Sequence, residues 1–458
     1  MKDKNVIVVG LGRTGLAAAR FLHQQGARIM ATDTADESAL GDAAVQLRNI
    51  GVDVELGAHR SQVFQESDLI VVSPGVSHTI APIAQARARG VEVVGEVELA
   101  ARFIRAPIIA VTGTNGKTTT TELLGQMLQN SGMTTFVGGN IGNPLIEYVC
   151  SGQKEELVVA EISSFQLDTI DRFRPKVSIL LNITADHLDR YPDFEAYADS
   201  KIRIFKNQLA DDVAVLNGSD ALIRSKTAHI KSRRLFFPVL QADEQGAVLN
   251  GKRIILNVDQ LKPIQAKIRN QDFLDITQSA LLGRHNHENI CAASLAALAA
   301  GGTVNGIQQT LAQFKGLPHR LEKVATIDNI HFYNDSKATN VDGVIRALDC
   351  FAKPVVLLMG GRDKGGNFKV LADSIGKHVK ELIVMGEAAG PIKHALGRLA
   401  PTKMADSMDA AVATAFADAN PNEVVLLSPG CASFDWYGSY AERGNDFRRA
   451  VHKIKEKE

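Results

Sequence analysis

One short segment of the chain combines glycines, a lysine and a hydroxyl at a spacing that can hold phosphate. The segment VTGTNGKTTT follows the apolar run APIIA and contains Gly113, Gly116, Lys117 and Thr118. In a phosphate-binding loop, backbone N–H groups hold phosphate oxygens, a lysine reaches the outer phosphates and a hydroxyl binds Mg²⁺. The usual spacing places another glycine at position 111, where this chain has Val111, so the segment is a shortened variant. The alternative, a glycine turn with a surface lysine, does not explain why a strand pattern precedes the segment and a helix pattern follows it.

A second glycine motif lies near the start of the chain. Gly10-x-Gly12-x-x-Gly15 follows the apolar run VIVV, and Asp33 ends the next predicted strand. This pattern is close to a dinucleotide-binding fingerprint, in which the backbone cradles a diphosphate and an acidic side chain binds a ribose hydroxyl. The pattern fits NAD. A UDP-type ligand would use the same cradle, and a Rossmann scaffold without a ligand is a further alternative.

Two other predicted strands end in groups that can bind a metal ion. The apolar run LVVA leads to Glu161, where a parallel sheet would place a carboxylate beside the phosphate loop, as a Mg²⁺ ligand. The segment NITADHLDRY carries Asp186, His187 and Asp189 after another strand, and Lys201 follows on a predicted helix. The alternatives are a surface carboxylate at Glu161, a structural histidine at His187 and an ordinary solvated lysine at Lys201.

Three loops in the last third of the chain combine cations with small hydroxyls at the ends of predicted strands. The loops are NDSKATN, MGGRDKGGNF and SPGCASFDW, and their candidate side chains are Asp335, Lys337, Thr339, Lys364, Ser433 and Phe434. Loops of this kind suit a small anionic substrate, although each of them alone is compatible with ordinary turn chemistry.

The composition of the chain argues against several classes of function. The 458 residues include 51 basic and 51 acidic side chains and only 5% aromatic residues, which argues against a nucleic-acid surface. The four cysteines form no C-x-x-C pair, which argues against zinc and disulfides and fits a reducing compartment. No apolar run is long enough to span a membrane, and the N-terminus reaches glycine too early for a secretion signal. We therefore expect a cytoplasmic protein that neither inserts into a membrane nor binds nucleic acid.

Strand-like runs alternate with helix patterns along almost the whole chain, which predicts βαβ units and mostly parallel sheets. The clearest predicted strands are NVIVVG, ARIMATD, LIVVSPG, VEVVG, PIIAVTG, LVVAEIS, VSILLNIT, PVVLLMGG, ELIVMGE and VVLLSPG. We predict an α/β protein of three domains. They are a Rossmann-like domain over residues 1–95, a central domain of the P-loop ATPase type with a mostly parallel sheet over 96–316, and a Rossmann-like domain over 317–458. The candidate sites lie in loops after strand C-termini.

Taken together, these motifs resemble those of the Mur ligase family over essentially the whole chain. The segments that carry the resemblance are TGTNGKTTT, GGNIGNP, AEISSFQL, DHLDRYP, LPHRLE, NDSKATN and SPGCASFD. The last two are similar to those of the branch that adds D-glutamate. The resemblance implies an ATP- and Mg²⁺-dependent ligase that joins D-glutamate to UDP-N-acetylmuramoyl-L-alanine through an acyl phosphate, in peptidoglycan synthesis. It also implies a monomer whose partners are these small molecules.

The resemblance further implies a role for individual residues. The residues implied for the UDP substrate are Arg13, Thr14, Asp33, Thr34, Ser73, Gly75, Asn140 and His187. Those implied for ATP are Gly113, Thr114, Asn115, Gly116, Lys117, Thr118, Thr119, Asn286, Asn289, Arg320 and Asp335. Those implied for D-glutamate are Lys337, Thr339, Lys364, Ser433 and Phe434, with Tyr440 where an aromatic residue is expected. The implied metal ligands are Thr118, Glu161, His187 and Lys201, the last as a carbamate, and the implied catalytic residues are Lys117, His187 and Lys201.

Three other functions are weighed against this one. A nicotinamide oxidoreductase built on Gly10 to Gly15 would leave the phosphate loop, Glu161 and the third domain unexplained. Another Mur-type ligase or a folylpolyglutamate-type ligase would share the chemistry and differ in the amino acid. A nucleotide-gated binding protein would perform no chemistry. If the chain is a ligase, we expect the third domain to close on the second about a hinge near residues 316–320.

Overall fold

A computed structural model describes residues 1–187, 190–258, 273–363 and 365–456. Within these residues the strands form three sheets of five, nine and six strands, and helices alternate with them. The predicted α/β class with mostly parallel sheets is confirmed. The chain divides into two compact units: Met1–Thr277 with Asn289–Thr310, and Gln278–Glu288 with Leu311–Glu458. Among the described residues, no helix is long and apolar enough to cross a membrane.

The first sheet is entirely parallel, with the order β3-β2-β1-β4-β5. Its strands are β1 (Asn5–Val9), β2 (Arg28–Asp33), β3 (Asp53–Leu56), β4 (Leu69–Val72) and β5 (Glu92–Gly95). Its helices are α1 (Arg13–Gln24), α2 (Glu37–Leu40), α3 (Ala43–Asn49), α4 (Ser61–Gln65) and α5 (Ala81–Ala88). The strand order reverses between β1 and β4, so the loops that follow these two strands open a crevice at the sheet edge.

The second sheet has the order β14-β13-β12-β11-β10-β9-β6-β8-β7 and is parallel as far as β12. Its strands are β6 (Ile108–Thr112), β7 (Thr135–Gly139), β8 (Leu157–Glu161), β9 (Val177–Leu180), β10 (Val213–Asn217), β11 (Arg233–Phe237), β12 (Gly246–Asn250), β13 (Arg253–Asn257) and β14 (Phe273–Asp275). β6 lies between β8 and β9, so the segments that follow these three strands meet at one edge.

The helices that accompany the second sheet cover both of its faces and join it to the first. They are α6 (Glu96–Ala101), α7 (Lys117–Asn130), α8 (Leu145–Cys150), α9 (Ser164–Leu167), α10 (Phe194–Ile202), α11 (Ala221–Lys226), α12 (Arg284–Ala299) and α13 (Val304–Gln313). A 3₁₀ turn over Arg203–Phe205 extends α10.

A continuous apolar core joins the first and second sheets. It includes Val8 of β1, Leu99 of α6, Tyr148 of α8 and Val158 of β8, all of which are fully or almost fully buried. The buried Glu98 fixes α6 to the segment that precedes β9, because its Oε2 accepts the backbone N–H groups of residues 171–173 at 2.9–3.0 Å. The first two predicted domains therefore form one compact unit.

The third sheet has the order β15-β16-β20-β17-β18-β19, with only the β15–β16 pair antiparallel. Its strands are β15 (Glu322–Ile327), β16 (Ile330–Asn334), β17 (Val355–Gly360), β18 (Val379–Met385), β19 (Thr402–Met404) and β20 (Val424–Leu427). Its helices are α14 (Val341–Leu348), α15 (Ala372–His378), α16 (Ala389–Leu396), α17 (Met408–Asp418) and α18 (Tyr440–Lys455), with a 3₁₀ turn over Phe368–Leu371. Alternate residues of its central strands enter two separate cores, because helices cover both faces.

Candidate active site

The phosphate-loop motif lies between β6 and α7, as the sequence predicts. Lys117 begins α7, and Thr118 and Thr119 follow it in the first helical turn. Gly116 precedes the helix with a φ of 87°, and a Cβ built there would lie 2.5 Å from Oδ1 of Asn289. Only glycine fits this position without displacing Asn289, which the resemblance implies for ATP.

The loop is fixed to the segment that follows β9. The Thr114 N–H donates to the Asn182 carbonyl at 3.0 Å. The Asn115 N–H donates to Asn182 Oδ1 at 2.8 Å, and Asn182 Nδ2 donates back to the Asn115 carbonyl at 3.0 Å. Asn182 was not among the residues predicted from the sequence. Its position, directly after a buried run in a strand adjacent to β6, is the signal that could have identified it.

Two lysines converge on this loop. Lys117 Nζ donates to the carbonyls of Gly113 and Thr114 at 2.8 and 2.9 Å. Lys201 Nζ, on α10, donates to the Gly113 carbonyl at 2.9 Å, and the Lys201 residue is only 1% exposed. Burial, and next the charge of Lys117, hold the pKa of Lys201 well below its usual range. The solvated lysine considered from sequence alone is therefore wrong.

Tyr197 lies one helical turn before Lys201 and was also missed. Its hydroxyl is 3.0 Å from Thr114 Oγ1, and its ring centroid is 4.6 Å from Lys201 Nζ. Burial raises the pKa of Tyr197 well above its usual range, so the hydroxyl keeps its proton. The i,i+4 spacing from Lys201 was the available sequence signal.

Glu161 ends β8 beside the phosphate loop and is 2% exposed. Its Oε1 accepts a hydrogen bond from Asn140 Nδ2 at 2.9 Å, and its backbone carbonyl accepts the Asn140 N–H at 2.8 Å. Its Oε2 is buried, and no described residue donates to it. A buried carboxylate oxygen without a donor is suited to a cation, and Mg²⁺ needs only one or two carboxylates beside substrate phosphates.

His187 lies in the segment that follows β9, with a φ of 54°. Its ring centroid is 4.9 Å from that of Phe165, and its Nε2 is 3.8 Å from Asp186 Oδ2. Asp189 lies outside the described residues. Within the described part of the chain, no group of three or more His, Cys, Asp or Glu side chains forms a metal site. The role of His187 as a ligand stays a prediction.

In the first sheet, Asp33 and Ser73 both hold the glycine turn after β1. Asp33 Oδ2 accepts the Leu11 N–H at 2.7 Å, and its Oδ1 accepts the Ala35 N–H at 2.9 Å. Ser73 Oγ donates to the Gly10 carbonyl at 2.7 Å. The two side chains thus brace the turn directly. The other predicted residues of this sheet, Thr14 in the first turn of α1 and the exposed Thr34, lie beside the same strand ends.

Two arginines connect the first sheet to the second. Arg13, which the resemblance implies for the UDP substrate, contacts Asn143 and Glu147 and donates to the Gly142 carbonyl at 2.9 Å. Arg190 donates to the carbonyl of Gly75 at 2.6 Å. A cavity of about 540 Å³ lies beside this second contact, between the Val72–Thr79 segment and α9.

The predicted nucleotide residues of the second unit include two buried groups. Asp335 follows β16, where its Oδ2 accepts a hydrogen bond from Ser428 Oγ at 3.0 Å. Burial raises the pKa of Asp335 to about 7, although the charge of the nearby Arg320 opposes the shift. Asn286 Nδ2, on α12, donates to the Leu282 carbonyl at 2.7 Å.

The residues predicted for D-glutamate lie at the strand ends of the third sheet. Lys337 Nζ is 4.9 Å from the centroid of the Tyr440 ring. Ser433 is 2% exposed, whereas Phe434 is 57% exposed. Thr339 is half-buried just before α14, and Lys364 lies outside the described residues.

Comparisons with known proteins cover almost the whole chain. Residues 4–95 match the N-terminal domain of MurD-like Mur ligases, residues 111–297 the Mur ligase middle domain, and residues 319–431 the Mur ligase glutamate ligase domain. A UDP-N-acetylmuramoylalanine–D-glutamate ligase of Desulfosudis oleivorans is 49% identical over 455 residues, which are 99% of this chain and 97% of the relative. One of Desulfatibacillum aliphaticivorans is 50% identical and covers 99% of both chains.

Solved structures share the fold at low sequence identity. A pseudomurein peptide ligase type C from Methanothermus fervidus has a TM-score of 0.62 at 18% identity, covering 99% of this chain and 100% of its own. A MurF ligase from Thermotoga maritima in complex with ADP has a TM-score of 0.61 at 16% identity, covering 99% and 96%. At such identities these structures support the fold alone.

Proposed function

Because this chain belongs to the Mur ligase family, we propose that it is the ATP-dependent ligase that adds D-glutamate to UDP-N-acetylmuramoyl-L-alanine. The reaction forms an amide, ADP and phosphate, and it extends the peptide of a peptidoglycan precursor. The choice of D-glutamate follows two relatives that are 49% and 50% identical over 99% of this chain and that carry this activity in their names. The structural observation that carries the chemistry is the convergence of Lys117 and Lys201 on the Gly113 carbonyl.

A carboxylate and an amine do not condense in water, because oxide is a poor leaving group. In the proposed reaction, an oxygen of the L-alanine carboxylate attacks the γ-phosphorus of ATP, and the bond to ADP breaks. The amine of D-glutamate then attacks the carbonyl carbon of this acyl phosphate. Phosphate leaves with the electron pair of the broken C–O bond, and the amine loses a proton. No step needs a nucleophile from the protein, so the protein acts by positioning and electrostatics.

The reactants are all anions, so the site must supply positive charge. Two unit charges 4 Å apart repel by about 4 kcal/mol at an effective dielectric of 20, which would oppose the attack. Lys117 begins α7 at the phosphate loop, where its ammonium group and the backbone N–H groups are suited to the ATP phosphates. We propose that Lys117 exchanges its contacts with loop carbonyls for the β- and γ-phosphates when ATP binds.

Glu161 is the residue best suited to hold Mg²⁺. Its buried Oε2 has no donor among the described residues, and its Oε1 is fixed by Asn140, so one carboxylate oxygen is oriented and available. The other proposed ligands are Thr118, His187 and Lys201 as a carbamate. When bound, Mg²⁺ neutralises phosphate charge and lowers the repulsion between phosphate and carboxylate.

Lys201 is suited to carry a carbamate. A neutral amine attacks CO₂ and releases a proton, and the depressed pKa of Lys201 favours its neutral form. The product is an anion in place of an amine that is held beside Lys117. A carbamate there would attract Lys117 and offer oxygen ligands to Mg²⁺.

The remaining site residues keep the roles that family membership suggests. We propose the loops after β1, β2 and β4, together with Asn140, for the UDP substrate. We propose Asn286, Asn289, Arg320 and Asp335 for the nucleotide, and the strand-end loops of the third sheet, including Lys364, for D-glutamate. We further propose that the chain acts as a monomer in the cytoplasm, where ATP and nucleotide sugars are available.

An assay of phosphate release tests this function. UDP-N-acetylmuramoyl-L-alanine, ATP and Mg²⁺ are held constant, while D-glutamate, L-glutamate, L-alanine and diaminopimelate are compared. We expect release with D-glutamate to exceed that with each other amino acid at least tenfold, about 1.4 kcal/mol of discrimination. Equal or greater phosphate release with another amino acid would assign that amino acid as the substrate. If ATP is not hydrolysed with the UDP substrate and any of the four amino acids, the protein is not this kind of ligase. Tight binding of NAD(P) would instead favour an oxidoreductase.

A further inference from the structure

We propose that Arg443 is the positioning residue of the amino-acid site, and that its buried guanidinium sets the affinity for D-glutamate. This inference rests on the proposed function. Arg443 lies in the first turns of α18 and is 2% exposed. It was not among the residues predicted from the sequence, and it connects the three loops that carry the proposed D-glutamate ligands.

The guanidinium donates hydrogen bonds into all three loops. In the NDSKATN loop, Nη2 reaches the Ser336 carbonyl at 2.8 Å and Nε reaches Ser336 Oγ at 3.0 Å. At the end of β17, where the glycine loop begins, Nη1 reaches the Gly360 carbonyl at 3.4 Å. In the SPGCASFD loop, Nη2 reaches the Cys431 carbonyl at 3.1 Å, and Nη1 reaches that of Ala432 at 3.2 Å.

These contacts use the full donor capacity of an arginine. A guanidinium has five N–H donors in one plane, and here they meet five acceptors. A lysine has three donors on a flexible stem, and a glutamine has two, so neither can serve all five acceptors at once. The geometry therefore requires arginine rather than a generic cation.

Two of the four held carbonyls precede a proposed ligand by one residue. The C=O and N–H of a trans peptide point in opposite directions. Arg443 holds the carbonyls of Ser336 and Ala432, and it thereby fixes the directions of the following N–H groups, on Lys337 and Ser433. Their side chains begin from the same fixed peptides. Loss of the guanidinium would loosen two proposed ligands at once.

The charge of Arg443 is not neutralised by an ion pair. No carboxylate oxygen of the described residues lies within salt-bridge distance of it, and its partners are four carbonyls and one hydroxyl. Burial lowers the pKa of Arg443 to about 10, so it stays protonated at neutral pH. This buried cation beneath three loops raises the potential of the site, although the charge of Asp435 offsets part of it, and a raised potential favours an amino acid with two carboxylates.

Packing of the helix does not depend on this residue. Phe447 and Val451, on the same helix, are fully buried against the third sheet. α18 is therefore attached by apolar contacts, and the polar end of the helix, where Arg443 lies, is available for the site. A role limited to stability would predict that substitutions lower the melting temperature and leave substrate affinity unchanged.

The test compares Arg443→Lys and Arg443→Gln with Arg449→Gln in the full-length protein. Arg449 is on the same helix, is 52% exposed and forms ion pairs with Asp409 and Asp446, so it controls for the loss of a cation from α18. We expect both Arg443 variants to raise the KM for D-glutamate about 10- to 100-fold, because each variant loses charge-assisted hydrogen bonds that the guanidinium makes to the loops. We expect the KM values for ATP and the UDP substrate to rise far less than the KM for D-glutamate, since the nucleotide residue Asp335, which precedes Ser336, is held separately by Ser428 Oγ and the Leu321 N–H.

A second readout separates this inference from the proposed function. Hydroxylamine traps the acyl phosphate as a hydroxamate without any amino acid, so it reports the first half of the reaction alone. We expect the Arg443 variants to trap as much hydroxamate as the wild type. If the wild type releases no phosphate with D-glutamate, the proposed function and this inference both fail. If the wild type does so and Arg443→Lys has the D-glutamate KM of the control, this inference alone fails.

A milder substitution covers the case in which the Arg443 variants do not fold. Ser336→Ala removes one of the five acceptors and leaves the guanidinium in place. We expect it to raise the KM for D-glutamate about two- to tenfold, the effect of one hydrogen bond. An unchanged KM for D-glutamate in a folded Ser336→Ala variant overturns the proposal.

Discussion

Lys117 and Lys201 donate hydrogen bonds to the same acceptor, the carbonyl oxygen of Gly113, at 2.8 and 2.9 Å. Burial, and next the charge of Lys117, lower the pKa of Lys201. The phosphate loop thus has one lysine at the start of α7 and a second, buried lysine beneath it. This pair gives the first two predictions.

Lys117→Ala should lower kcat by at least about 100-fold, because a preorganised charge at the transferred phosphoryl group is lost. The measurement is phosphate release under saturating substrates, with the melting temperature as a check of folding. Lys231→Ala, an exposed lysine of the same unit, is the control and should keep full activity. Near-normal turnover in Lys117→Ala would contradict the proposed role.

Lys201→Ala should abolish most activity and regain part of it with added acetate or another short carboxylate, which replaces the carbamate. Lys117→Ala should not respond to the same additives, so it serves as the matched control. Wild-type protein equilibrated with ¹³C-bicarbonate should show a carbamate carbon by NMR that Lys201→Ala lacks. Full activity in untreated Lys201→Ala would exclude the carbamate.

Gly116→Ala should raise the KM for ATP, because its Cβ would lie 2.5 Å from Asn289 Oδ1. Gly132→Ala is the matched control, since Gly132 also has a positive φ and lies in open space. Both variants should lose about 1 kcal/mol of stability from backbone strain, and only Gly116→Ala should lose ATP affinity. Equal ATP kinetics in the two variants would show that the contact with Asn289 is unimportant.

Glu96→Gln should remove a pH dependence of stability. Burial raises the pKa of Glu96 from 4.5 to about 7, so between these pH values the folded state holds a proton that the unfolded state has released. Wild-type stability therefore falls as pH rises through this window. The variant should be more stable at pH 8, by up to about 3 kcal/mol, and similar to wild type at pH 4.

Urea unfolding at several pH values measures this difference. Glu66→Gln, which removes an exposed carboxylate of the same unit, is the control and should follow the wild-type profile. Parallel stability profiles for Glu96→Gln and the wild type would contradict the raised pKa.

The parts of the fold that sequence predicted are those with the strongest periodic signal. β6, β8, β9, β17 and β20 are buried on both faces, so they read as continuous apolar runs ending in glycine or polar residues. β7 and β15 were missed, because they are partly exposed and their apolar residues are sparse. The single core that joins the first and second sheets was also missed, because it depends on which helices of the two sheets pack against each other.

The candidate site also contains residues that the local sequence identifies and residues that it does not. The phosphate loop is local, so its glycines, Lys117 and the following helix could be identified within ten residues. The burial of Lys201 depends on α10 packing against a loop that is distant in sequence, and only the family resemblance suggested its role. Arg443 looks like any charged residue of an amphipathic helix, since nothing nearby in sequence reveals that three loops converge on it.

The core shared by the first two sheets limits how this protein can be taken apart. A fragment cut after Gly95 would lose α6 and α8, which pack against α1, and would expose part of the apolar core that they share with the first sheet. Such a piece would be prone to aggregation, whatever affinity its glycine turn has for nucleotides. For domain exchange between relatives, the transferable module is the whole first unit, which ends at Thr310, rather than residues 1–95 alone.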